Sequence, residues 1–268
     1  MTPDLGWRSD LYRGTALDYE RWRPPYPSDL FDDLVRRLPV SGSGRLLDLA
    51  CGTGQVAFSL APHFDEVVAV DQETEALAVG AEEARRSGVA NITWLAGAAE
   101  RIQLAGPFEL IGVGNAFHRL DRPIVAERAR SWLQPGGGIA LLWTDYWRGE
   151  LPWQRAMEQL VVDWMTELGA TDRLPSGWED EMNRLAHKEV LSAAGLQYVG
   201  KFEFPTVLTW TLEALAGFMR STSTLNRQVL GDRAAEFERD LADRLASYTI
   251  GGVLQQTASF AYELAINP

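Results

Sequence analysis

The sequence of 268 residues holds one cysteine, Cys51, two lysines, Lys188 and Lys201, and three histidines. A single cysteine excludes an internal disulfide framework and a thiolate metal cluster, so a reduced cytoplasmic setting and no metal are expected. The net charge of −12 works against a nucleic-acid backbone or an anionic membrane as partner, since both demand basic surface. No apolar run approaches the roughly 20 residues that span a bilayer. The opening "MTPDLGWRSDLYRG" has no apolar core of a signal peptide. What is present is ordinary for a globular chain: 46% hydrophobic and 23% charged residues, at a length that buries a sizeable core.

Strands and helices alternate along the first half. Tyr12, Tyr19 and Trp22 recur at partly helical spacing, and Pro24, Pro25 and Pro27 end any helix there. Ser28 reads as the N-cap of an amphipathic helix carrying Leu30, Phe31, Leu34, Val35 and Leu38. "SGSG" at 41 to 44 is a joint. Strands are expected at 45–49, 66–71, 92–96, 108–115 and 139–143, with helices at 55–62, 74–87 and 121–133 and a turn at "PGGG", 135–138. Later strands are expected at 198–205 and 253–266, with helices between 211 and 248. The expectation is an α/β fold: a doubly wound, Rossmann-like, mostly parallel seven-stranded sheet with helical lid insertions. In one structural domain, residues 1–44 form an N-terminal lid, 45–145 the ligand-binding core, 146–197 a helical insertion, and 198–268 the final strands with a cap at 211–248.

"LLDLACGTGQ", residues 46 to 55, ends a strand and turns through Gly52 and Gly54 into a helix. Glycines there let the backbone bend sharply and touch a ligand closely. Seventeen positions beyond Gly54 the second strand ends in Asp71, whose carboxylate can take both hydroxyls of a ribose. A dinucleotide fits this pattern, and so does S-adenosylmethionine. Asp48, expected at the mouth of the site, would oppose a pyrophosphate and complement a cation; its other role is to tie down the glycine loop.

These residues resemble the first motif of class I S-adenosylmethionine-dependent methyltransferases. "VVAVD" resembles the second motif, "LAGAAE" (95–100) the segment beside adenine, "LIGVGNAFHRLDR" (110–122) the fourth-strand motif and "WLQPGGGIAL" the approach to strand five. "YERWRPPYP" (19–27), "AFHR" and "FMRSTST" (218–224) are similar to a small-molecule subgroup that includes trans-aconitate-methyltransferase-like and natural-product-tailoring enzymes. The resemblance implies a cofactor site of Tyr19, Arg23, Asp48, Ala50, Gly52, Gly54, Gln55, Asp71, Gln72, Ala98, Ala99, Glu100, Asn115 and Ala116. Tyr19 and Arg23 would lie over the methionine end. Many relatives carry an acid where this chain has Ala98, which leaves the Ala99 amide and Glu100 for adenine.

Methyl transfer to a hydroxyl is helped by a base, and histidine suits that role. His63 precedes the second strand, far from the ligand, and His187 falls among charged residues where it is expected to be solvated. His118 is therefore the catalytic candidate; its other reading is a residue that shapes the pocket. Trp143, Tyr146, Trp147, Met219 and Thr222 are expected to line an acceptor pocket. The implied activity is transfer of a methyl group to a small organic acceptor, at oxygen, by a monomer or homodimer. An NAD(P)-dependent oxidoreductase and a methyltransferase-like protein doing other chemistry, such as cyclisation, are the alternatives.

Overall fold

The computed structural model describes residues 10–175, 177 and 185–268. Seven strands form one sheet: β1 (Arg45–Leu49), β2 (Glu66–Asp71), β3 (Ile92–Ala96), β4 (Phe108–Gly114), β5 (Leu133–Thr144), β6 (Gln197–Trp210) and β7 (Leu254–Ile266). Their order is β3-β2-β1-β4-β5-β7-β6. β1 to β5 run parallel, and β7 pairs antiparallel with both β5 and β6. The order reverses between β1 and β4, so loops diverge there and open a crevice at the strands' carboxyl ends.

The central strands are apolar because helices cover both faces. On one face α2 (Ser28–Arg37) and α3 (Gln55–Leu60) bury Leu30, Leu34, Val56 and Leu60 against Leu46, Val67 and Leu110. On the other, α5 (Arg122–Trp132) and helix His187–Ala193 bury Val125, Ala129 and Leu191 against Leu47, Ile111 and Ile139. α4 (Thr74–Ser87) packs beside β2 and β3, its Gly80 making room for the Trp94 indole.

A third core lies off the sheet. α6 (Pro152–Glu167), helix Leu212–Arg220 and helix Ala234–Leu245 bury Met157, Leu160, Trp164, Phe218, Phe237 and Leu241 together, which makes the two insertions one cap. α1 (Ala16–Trp22) lies on this cap. Trp22 seats on Gly217, where a methyl group would collide with the indole.

Some expectations shift. "PGGG" is not a turn before strand five but lies inside β5, where pairing with β4 jumps from Phe108↔Leu133 to Leu110↔Gly138. β6 extends to Trp210 because it pairs with β7 along its length. Ser28 starts α2 without a capping bond, and Pro27 holds the cap position. His187 is not solvated: its Nδ1 lies 2.9 Å from Glu263 on β7. The helical insertion expected at 146–197 falls partly outside the described residues, at 178–184. Among the described residues no helix is long and apolar enough to cross a membrane.

Candidate functional site

The crevice is a cavity of about 610 Å³. Its floor is the turn after β1. Ala50 and Gly52 hold positive φ of 53° and 57°, and Gly54 sits at 96°. At that value a side chain would be strained, and a Cβ on Gly54 would press on Trp94. Gly54 therefore supports the floor from outside the cavity.

Asp71 ends β2 at the cavity wall. Its Oδ2 accepts the Gly52 amide and its Oδ1 the Glu73 amide, each at 2.8 Å. The carboxylate thus braces the glycine turn and still has lone pairs for a ligand hydroxyl. Burial raises its pKa, and the amide bonds work against that rise. Gln72, Ala98, Ala99 and Glu100 continue the same wall.

Asp48 is not at the mouth. It is fully buried beneath the turn, where Oδ2 accepts the Ala57 amide at 2.9 Å. The geometry is that of the loop-tying role, because Ala57 belongs to the first turn of α3. Burial pushes its carboxyl up to about 8. Oδ1 has no hydrogen-bond partner among the described residues, and Asp48 borders a small void shared with Tyr26, Cys51 and Gln55.

The opposite wall comes from the segment of α1, which the cap backs from behind. Arg23 is stacked among three rings, with its guanidinium carbon 4.7 Å from the Tyr19 centroid, 5.2 Å from Tyr146 and 4.4 Å from Phe218. It donates to Ser221 Oγ at 2.8 Å and to the Ser221 carbonyl at 3.2 Å. It makes no ion pair among the described residues. A desolvated cation without an acid opposite it is a ready seat for a carboxylate.

Asn115 follows β4 with φ of 50° and donates to the hydroxyls of Tyr26 at 2.9 Å and Tyr146 at 3.2 Å. Tyr146 itself has φ of 45°. Ala50, Asn115 and Tyr146 are the non-glycine residues with positive φ among those described, and they gather around this one crevice. Such strain persists where surroundings enforce it and clusters at functional sites.

His118 lies beyond Asn115 and Ala116 on the cavity wall. Its Nε2 accepts from Arg119 Nε at 3.0 Å. Burial, then the charge of Arg119, holds its pKa down to about 3. Tyr12, Thr15 and Arg119 complete this side, with the Arg119 guanidinium 4.5 Å over the Tyr12 ring.

The expected acceptor residues are placed differently. Trp147 and Met219 are buried in the cap core, and Trp143 lies under Lys201 at the end of β5, with Nζ 4.6 Å from the ring centroid. The Thr222 hydroxyl donates to the Met219 carbonyl at 2.6 Å. These four seal structure rather than line the cavity, and Tyr146 stands behind the wall, against the cavity residues Arg23 and Asn115. Tryptophans after β5 fill the cap because it has its own core to build. Leu11, Tyr12 and Thr15 were missed as cavity walls; the aromatic spacing of residues 10 to 23 was the available signal.

Residues 46–137 match a family model described as a methyltransferase domain. An uncharacterized methyltransferase of Mycobacterium tuberculosis is 34% identical over 151 residues, 55% of this chain and 58% of that protein. The chain thus spans less than two thirds of the length of the curated relatives it first matches. Among solved structures, the YcgJ protein of Bacillus subtilis is similar at a TM-score of 0.55 and 17% identity, covering 90% of this chain and 98% of that one. The [4+2]-cyclase SpnF aligns at 0.53 and 16%, covering 92% and 84%. Residues 46–137 are thus a methyltransferase-type domain by similarity, and the fold as a whole is the one these solved structures share. The glycine turn and Asp71, which frame the crevice, both lie within the matched residues.

Proposed function

We propose that the protein binds S-adenosylmethionine in this crevice and transfers its methyl group to a small organic acceptor, at oxygen, in the manner of tailoring enzymes of natural-product or metabolite biosynthesis. One observation carries the reading: the half-buried guanidinium of Arg23, paired with no acid among the described residues, shares a single cavity with the bare turn at Gly52 and the carboxylate of Asp71. A carboxylate-bearing nucleoside satisfies both ends. A dinucleotide would set its pyrophosphate against the turn, where Tyr19 already stands 3.9 Å from the Cβ position of Gly52.

The residues present fit the cofactor. Arg23 would hold its carboxylate, Asp71 its ribose hydroxyls, and Ala98 to Glu100 would border its base. The sulfonium supplies an activated methyl group when bound. The chain's own work is to orient the acceptor and exclude water, for which α1 roofs the crevice and the cap holds α1 in place. Since the [4+2]-cyclase shares the fold, the fold alone does not choose the chemistry. Isothermal titration should show heat with S-adenosylmethionine and S-adenosylhomocysteine and none with NAD. Incubation with candidate phenols, enols and carboxylic acids should release S-adenosylhomocysteine. Heat with NAD alone would overturn the reading. Cofactor binding together with conversion of an acceptor to an unmethylated product would favour the cyclase alternative.

A further inference from the structure

The loop after β4 places an arginine against the histidine beside it. Arg119 Nε lies 3.0 Å from His118 Nε2. A guanidinium stays protonated throughout the working range and has no acceptor atom. The hydrogen between the two nitrogens therefore belongs to Arg119, and Nε2 presents its lone pair. A neutral imidazole that accepts at Nε2 carries its own hydrogen on Nδ1. An imidazolium would turn an N–H toward the guanidinium N–H and lose the bond.

Arg119 is itself held from two sides. Its guanidinium lies 4.5 Å over the Tyr12 ring, and its Nη2 lies 3.4 Å from Ser223 Oγ in the cap. Two segments far from Arg119 in sequence thus set the arginine that sets the histidine, and both Arg119 and His118 face the cavity.

We infer that Arg119 is a positioning residue that locks His118 as the neutral Nδ1–H tautomer, so that the ring serves the site as a hydrogen-bond donor and not as a general base. Two further groups among the described residues act on the ring in the same direction. Arg122 at the start of α5 and His187 at the start of its helix both disfavour a positive charge on His118, and with burial they hold its pKa well below the ordinary histidine range. For methyl transfer, the consequence builds on the proposed function. The acceptor's proton leaves to solvent rather than to His118, and the pH dependence of turnover follows the acceptor's own ionisation.

The test needs neither cofactor nor acceptor. The full chain carrying ¹⁵N-labelled histidine is followed by long-range ¹H–¹⁵N correlation between pH 5 and 8. The His118→Asn spectrum assigns the signals, and His63 and His187 serve as internal references. Wild type should show a protonated Nδ1 and a bare Nε2 at His118, without a midpoint in that range. In Arg119→Met the ring should populate the Nε2–H form, or its midpoint should rise into the measured range, toward 6.5. Arg119→Lys, which keeps a donor, should restore part of the Nδ1–H population. A wild-type ring with Nε2 protonated, or charged at pH 6 to 7, would overturn the inference without any variant. So would an Arg119→Met spectrum unchanged at His118. A protein that passes this test but binds no S-adenosylmethionine would refute the proposed function and leave the tautomer assignment in place.

Discussion

Around the glycine turn the polar bonds are local. Asp71 reaches Gly52 across 19 positions and Glu73 across 2, and Asp48 reaches Ala57 across 9. Over the roof of the same cavity they are not. Arg23 to Ser221 spans 198 positions, Arg220 to Asp18 spans 202, and Asn226 to Leu11 spans 215. The floor is a strand–turn–helix unit whose amides are satisfied by carboxylates folded in from nearby. The roof is a seam between two segments that meet only when the whole chain has folded, and its contacts close long loops at an entropic cost. The floor should therefore survive damage to the roof, while the roof is where ligand entry and loss of structure begin.

The strongest way to break this contrast is to cut the seam. Asp18 is buried at 6% exposure between Arg220 and Arg227, with 2.6 Å to Arg227 Nε and 3.3 Å to Arg220 Nε. Asp18→Ala leaves the buried Arg220 facing Glu238 alone and should cost about 3–5 kcal/mol in urea denaturation. Hydrogen exchange should rise first in α1 and helix Leu212–Arg220, before β1, β2 and β4. A loss under about 1 kcal/mol would mean that packing, with Trp22 on Gly217, holds the seam instead.

The next effect is smaller and reads the seam from the ligand's side. Arg23→Met should weaken binding of S-adenosylhomocysteine roughly 10- to 100-fold, the worth of a charge-assisted hydrogen bond in a desolvated site. The decarboxylated analogue should bind both proteins alike. Equal loss for both ligands would show that Arg23 acts by holding Ser221 and the roof, not by meeting a carboxylate. Gly217→Ala then tests the packing part alone: a methyl group driven against the Trp22 indole should cost about 1–3 kcal/mol and leave the Asp71 bonds untouched.

The same contrast explains what could be read before the structure. β1, β2 and β4, the turn at Gly52 and Asp71 were legible because each is written in a run of a few neighbours: an apolar strand, two glycines, an acid at a strand end. The roof was only half legible. Tyr19 and Arg23 were reached through likeness to a subgroup, and the structure sets them on the cavity wall. Trp147 and Met219 were expected at the acceptor, but an apolar residue in an insertion has the same sequence signature whether it lines a cavity or fills a core. The placement of Asp48 turned on one peptide unit, since the first turn of α3 rotates the Ala57 amide toward it and draws the carboxylate under the loop. Arg119 against His118 had no signature at all: two adjacent residues face each other only because Phe117–Arg119 form a short 3₁₀ turn.

The last expected effect lies in the floor and depends on pH. Folded Asp48 holds its proton up to about 8, against about 3.9 for an unfolded aspartate. Its folded value is raised, so the folded state binds the proton more tightly. Any stability from this group is complete below about pH 4 and drains away as pH rises to about 8, beyond which it changes no further. Asp48→Asn keeps an oxygen for the Ala57 amide and removes the buried charge. The variant should therefore match wild type near pH 4.5 and exceed it at pH 8.5, by about 1.4 kcal/mol for each pH unit of the shift that the folded protein expresses, by urea denaturation at both pH values. Were the variant weaker at pH 8.5, the Asp48 carboxylate would be contributing as an anion, and the unpartnered Oδ1 would face a positive group when the floor is complete. The same comparison with S-adenosylmethionine added then separates these cases: a cation drawn to Asp48 lowers its pKa, so ligand affinity in wild type, and not in Asp48→Asn, should climb between pH 6 and 8.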